Sequence, residues 1–195
     1  MDELGLAKQQ ANELVEKYIT NPITKLHLIE SEEIMKALAR KFGEDEEEWG
    51  IIGLLHDIDW DLSKDNTLEH CKKAVGILKE AGASDFLIET ILSHGYGNPH
   101  CGAPQDKVRN TKLQYSLAAA ETLTGLIVAS ALVQPDKKLA SVTLQSLKKK
   151  FKSKGFAAGC NREIILECVK AGVSLEEFLE LGLDALKNIS NKLGL

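Results

Sequence analysis

Apolar residues recur along the chain at intervals of three and four, the period of a helix. Val, Ile and Thr nowhere alternate with polar residues over a turn-bounded run, as a strand would require. The pattern predicts an all-α chain. Leu4, Leu6, Ala11, Leu14, Val15 and Tyr18 outline an amphipathic helix over 3–19, ended by Asn21-Pro22. Ile23, Leu26, Ile34, Met35, Leu38, Ala39 and Phe42 stripe a second helix over 24–42, with Gly43 as its C-terminal stop. The acidic run 44–48 opens a third helix, where negative charge favours the positive end of the dipole, and that helix carries residues 49–56 inward. Further helices are expected over 67–81, capped by Asn66 or Thr67, and over 85–94, between Ser84 as N-cap and Gly95 as stop. Others follow over 111–133, 136–151, 161–171 and 174–193, the last opened by a capping box of Ser174 and Glu177. Residues 95–110, with three glycines and two prolines, form the longest expected loop.

Length and charge narrow the picture. A chain of 195 residues suits one domain, with a core over about 20–135 and a C-terminal helical extension over about 136–195. The net charge of −5 argues against a nucleic-acid partner, which calls for a basic surface. No apolar run approaches the ~20 residues of a membrane span, and Met1 to Leu4 show neither the basic region nor the apolar stretch of a secretion signal. A cytoplasmic protein without a membrane partner is expected. The cysteines Cys71, Cys101, Cys160 and Cys168 are scattered and form no C-x-x-C pair, so they read as reduced thiols. Cys160 and Cys168 are expected in the core. Cys101, in the Gly/Pro-rich loop beside His100, is the one expected at the surface, and this pair lacks partners at zinc-ligand spacing.

The candidate chemistry gathers at His56-Asp57, where the apolar run 51–55 stops. Imidazole with carboxylate suits a divalent cation of intermediate hardness, such as Mn²⁺, Fe²⁺, Co²⁺ or Zn²⁺. Alone, the dipeptide is commonplace. His27, His70 and His94 also fall at or near expected helix ends, so four of the five histidines share that placement. Glu121 sits in a small, apolar stretch over 117–127, and carboxylates are rarely buried there unless paired or metal-bound.

In this order, His27, then His56-Asp57, then an acid at 121, the chain resembles the HD-domain metal-dependent phosphohydrolase superfamily. It is most similar to small bacterial and archaeal members, with a D-x-L-T-G helix (here Glu121-Thr122-Leu123-Thr124-Gly125) and a K-K-K-F-K segment (Lys148 to Lys152). The resemblance implies an all-α bundle and a metal site of His27, His56, Asp57 and Glu121. Relatives carry Asp where this chain has Glu121, which displaces the carboxylate by about 1.5 Å. His70 and His94 fall where dinuclear members place extra histidines, so a second cation bridged by Asp57 stays open beside one tight ion, although the GYP signature of one dinuclear group is absent. The implied cofactor is a divalent ion: Mn, Fe, Co, Ni, Zn or Mg. The implied activity is attack of metal-activated water on a nucleotide or another small phosphorylated metabolite. Asp57, Asp59, His70 and His94 are the candidate catalytic groups, with Asp59 as base or as partner of a ligand histidine. Lys107 and Arg109 are candidate phosphate contacts, alongside His70 and His94. The competing expectation is a non-hydrolytic protein on the same bundle, either a di-iron oxygenase or a degenerate sensor or scaffold. The basic run Lys148 to Lys154 reads as a helix C-terminus with favourable dipole placement, and the C-terminal helices read as packing rather than chemistry.

Overall fold

The computed structural model describes residues 4–195 as an all-α bundle, with no strand among the described residues. Leu4 and Leu6 are buried ahead of the first helix, α1 (Lys8–Tyr18), which is shorter than the expected span over 3–19; Glu3 lies outside the described residues. Asn21-Pro22 opens the next helix rather than merely ending the first. The Asn21 side chain accepts from the Ile23 N–H, and Pro22 occupies the first turn of α2 (Pro22–Phe42), where its missing donor costs nothing. Gly43 closes α2 in the left-handed conformation, its N–H bonded to Ala39 O.

Asp45 caps α3 (Glu46–Leu55) by accepting from the Glu48 N–H. This helix lies along α2, and two glycines permit the approach. A β-carbon on Gly53 would stand 2.8 Å from the Ser31 carbonyl oxygen, and one on Gly50 would strike the Lys36 side chain. α3 ends at Leu55, so His56 to Asp59 form the turn into the short α4 (Trp60–Ser63). Asp61 on α4 accepts backbone N–H bonds from Thr20 and Asn21, both at 2.7 Å, and fixes α4 against the start of α2.

The expected helix over 67–81 is broken in two. A 3₁₀ turn spans Thr67–Glu69, and α5 (Lys72–Glu80) begins after His70, which is extended, and Cys71, which has φ +71°. His70 therefore precedes the helix instead of lying in its first turn. Ser84 caps α6 (Asp85–Leu92), and a 3₁₀ turn over Ser93–Gly95 carries His94. Residues 96–111 run without helix into α7 (Lys112–Leu132), capped by Thr111.

α7 is long and apolar enough to cross a membrane by length and composition, an exception to the expectation that no stretch approaches that length. Here most of it is buried as the central helix, packed against α2. The expected basic helix over 136–151 is a 3₁₀ turn (Leu139–Ser141) followed by α8 (Leu144–Lys152). The expected span 161–171 divides into α9 (Arg162–Ile165) and α10 (Cys168–Ala171), and 174–193 into α11 (Leu175–Asn188) and α12 (Ser190–Leu193). Ser174 accepts from the Glu177 N–H, but the Glu177 carboxylate pairs with Lys41 instead of closing a capping box. α11 seats on both α2 and α7. Gly182 makes room there for Leu123, and the fully buried Phe178 joins the same core.

Candidate metal centre

His27 projects from the first turns of α2, and His56 closes α3. Each side chain is oriented by its Nδ1. The His56 Nδ1 lies 2.8 Å from Gly53 O, a pure acceptor, so it carries the proton. The His27 Nδ1 lies 3.0 Å from Thr124 Oγ1, whose own hydrogen is donated to Glu121 O at 2.7 Å. The hydroxyl must therefore accept from His27. Both Nε2 atoms are left with bare lone pairs, and they face each other at 3.1 Å.

The same wiring recurs at the second pair. The His94 Nδ1 donates to Ile91 O at 2.6 Å, and the His70 Nδ1 donates to Asp59 Oδ1 at 2.8 Å. Asp59 is fully buried, and its other oxygen accepts the Ala74 N–H. The Asp59 carboxylate thereby lies between the His70 ring and the start of α5. The Nε2 atoms of His70 and His94 are 3.0 Å apart. Two unprotonated nitrogens at hydrogen-bond distance repel unless a cation, whether a proton or a metal, lies between or beside them. Imidazoles with Nδ1 held by a carbonyl, hydroxyl or carboxylate and Nε2 directed inward are in the ligand form of histidine.

Asp57 joins the pairs. Its Oδ2 lies 3.8 Å from His27 Nε2, while its Oδ1 lies 3.6, 3.4 and 3.3 Å from the Nε2 atoms of His56, His70 and His94. Burial alone would raise the Asp57 carboxyl, but the surrounding imidazoles overcome it and hold the group well below the usual carboxylate range. Burial lowers His27 and drives His56 down to about 3, so both are neutral at pH 7. Burial opposes charge on His94 as well, yet its hydrogen bond to Asp57 raises it to about 9. The cluster thus keeps one proton on the His94 side when no other cation is there. His27, His56 and Asp57 form one group of ligand atoms mutually within 4.8 Å, and His70, Cys71 and His94 form another. Imidazole nitrogen with carboxylate oxygen or thiol sulfur is a donor chemistry that fits a divalent cation at either group.

Glu121 is the expected fourth ligand. Its carboxylate faces the same cavity, but it belongs to neither group. One oxygen accepts from the Thr122 hydroxyl, and burial raises the group to about 7. The cavity holds about 780 Å³ above His27, Asp57, His70 and His94.

Neither predicted phosphate contact is free there. Lys107 does not line the cavity and pairs with Glu89 at 2.8 Å. Arg109 does line it, but its guanidinium is spent. It donates to the carbonyls of Ser93, His94 and Tyr96 at 2.8, 3.3 and 2.9 Å, and it grips Glu167 through two nitrogens at 2.5 and 3.3 Å. Arg109 thereby pins the His94 turn to α10's flank. The C-terminal helices do more than pack, because Asn161, Glu163, Glu167 and Lys170 wall the cavity. Cys101 is buried rather than at the surface, whereas Cys160 is half-buried on the cavity wall. His100 is exposed. In the basic run, Lys148 pairs with Glu176 at 2.8 Å and lies off the cavity. Sequence reasoning passed over Thr124, Cys71 and Glu167. Only Thr124 carried a signal, in the T-G pair that follows Glu121.

Comparison with known proteins agrees with this geometry. The HD domain family matches residues 25–130, more than half of the chain, and the span contains both histidine pairs, Asp57 and Glu121. No curated protein and no solved structure matches the chain significantly. The chain belongs to the HD-domain family, whose members are mostly metal-dependent phosphohydrolases.

Proposed function

We propose that this HD-domain protein is a metal-dependent phosphohydrolase acting on a small phosphorylated metabolite at a two-cation centre. The carrying observation is the convergence of four oriented Nε2 lone pairs on the two oxygens of Asp57. Bound divalent cations would supply Lewis-acid polarisation of a phosphoryl oxygen and a water acidified toward neutral pH. The protein's own residues supply the rest. His27 and His56 would hold one ion and His70 and His94 the other, while Asp57 faces both pairs. Asp59 keeps the His70 ring turned inward. Glu121, on the cavity wall beside the cluster, is placed to pass a proton to the departing oxygen. Lys170 brings positive charge to the rim, where it lies 3.4 Å from Glu167. A 780 Å³ cavity accommodates a nucleotide-sized or smaller molecule.

The test is a panel of phosphomonoesters and phosphodiesters, assayed with Mn²⁺, Mg²⁺, Co²⁺ and Ni²⁺. The parent should turn over at least one class, and Asp57→Ala should lose bound metal and turnover together. Equal hydrolysis by the variant would refute the assignment. The histidine-rich donor set also suits iron, which supports a second reading, oxygenase chemistry. Two irons per chain, with oxygen consumption and no phosphoester turnover, would select it.

A further inference from the structure

Cys71 stands beside the cluster without a role in the chemistry above. Its φ of +71° with ψ −40° is a conformation that residues with a β-carbon rarely adopt, and such backbone strain gathers at functional positions. The surroundings impose it. The Gly102 N–H donates to His70 O at 2.9 Å, and a β-carbon on Gly102 would come within 2.6 Å of that same oxygen, so the loop backbone lies directly on the His70–Cys71 turn. The turn lets two consecutive side chains face one interior point. His70 Nε2 is 3.0 Å from His94 Nε2, and the Cys71 sulfur is 4.0 Å from that same atom and almost wholly buried. Cys101, the other nearby thiol, is directed elsewhere, since its sulfur donates to Gly95 O at 3.3 Å and to Asn98 O at 3.5 Å.

We propose that Cys71 is a thiolate ligand of the cation held by His70 and His94. The inference rests on the two-cation reading of the centre and assigns its halves different chemistry. The His27–His56 half offers nitrogen and carboxylate oxygen. The His70–His94 half adds sulfur, which favours Zn²⁺, Fe²⁺ or Co²⁺ over Mg²⁺ or Mn²⁺. Without a metal, the hydrogen bond to Cys101, together with burial, keeps the Cys71 proton in place. Ligation exchanges that S–H bond for a sulfur–metal bond and releases the proton to solvent, as binding at thiol ligands generally does.

X-ray absorption on the zinc-loaded full chain tests this without any variant. The expected result is two ions per chain, with a sulfur scatterer at about 2.3 Å from zinc. Cobalt loading gives a second readout, the near-ultraviolet sulfur-to-cobalt charge-transfer band. Cys71→Ser should abolish the band and weaken one of the two ions at least about tenfold, while Cys101→Ser should keep it. Two bound ions with only nitrogen and oxygen neighbours would overturn the role of Cys71 and leave the two-cation centre standing. Fewer than two ions, with no sulfur neighbour, would overturn both.

Discussion

The two histidine pairs share one wiring scheme but stand on different ground. His27 and His56 rise from α2 and from the end of α3, two helices locked together where Gly53 lies on the Ser31 carbonyl. His70 and His94 stand on 3₁₀ turns and irregular chain, held by Asp59, by the loop at Gly102 and by Arg109. The first pair inherits its position from helix packing, which is close-packed and resists displacement. The second depends on a few long-range polar contacts, each removable by one substitution. The account therefore predicts a first position that forms with the fold and a second that can be emptied on its own.

The substitution expected to act most strongly on this contrast is Arg109→Ala. It leaves the largely buried Glu167 with only the exposed Lys170 as a partner and takes one donor from each of three carbonyls. Thermal or denaturant unfolding should show a loss of about 3 kcal/mol, with the ion at His70 and His94 released before the other. Simultaneous release of both ions would mean that the pairs are not separately supported. Next comes Asp59→Ala, which removes the acceptor from the His70 Nδ1. Calorimetric titration should show one ion weakened about 10–100-fold and the other unchanged. Thr124→Val removes the acceptor from the His27 Nδ1 and should weaken the opposite ion by about tenfold, near the lower limit for such partners, because α2 still aims the ring.

The smallest effect on the metal centre belongs to Glu30, one turn along α2 from His27. It is buried without an ion-pair partner among the described residues, and burial raises it from 4.5 to about 7. The folded chain binds this proton more tightly than the unfolded chain, so its contribution favours folding at low pH and is lost as pH rises from about 4.5 to about 7. Glu30→Gln should therefore stabilise the protein by up to about 3 kcal/mol at pH 8, with little gain at pH 4 and no change in either ion's affinity. A gain that persists at pH 4 would exclude titration of Glu30 as its cause.

The same division decides what was legible in the chain. The apolar stripe of α2, the cap at Ser84 and the stop at Gly43 are local signals, and the helices they mark exist. His56-Asp57 was visible because an apolar run ends there. The break at Cys71 was not, because the turn is imposed by a loop about 30 residues further on, while residues 67–81 on their own satisfy a helical pattern. Arg109 looked like a free loop cation because its partner, Glu167, lies 58 residues away. The C-terminal helices carry no histidine, and only the packing of α9 and α10 against α7 shows that they wall the cavity. At Glu121 the apolar setting marked a buried carboxylate, and its contact with Thr122 and its place outside both ligand groups came only from the packing.

Metal stoichiometry tests the central claim most directly. Metal-free parent protein titrated with Zn²⁺ or Co²⁺ should bind two ions per chain in separable steps, and Asp57→Ala, still folded by circular dichroism, should bind neither tightly. A single ion in the parent, or two ions held as tightly by the variant, would contradict a centre bridged by Asp57.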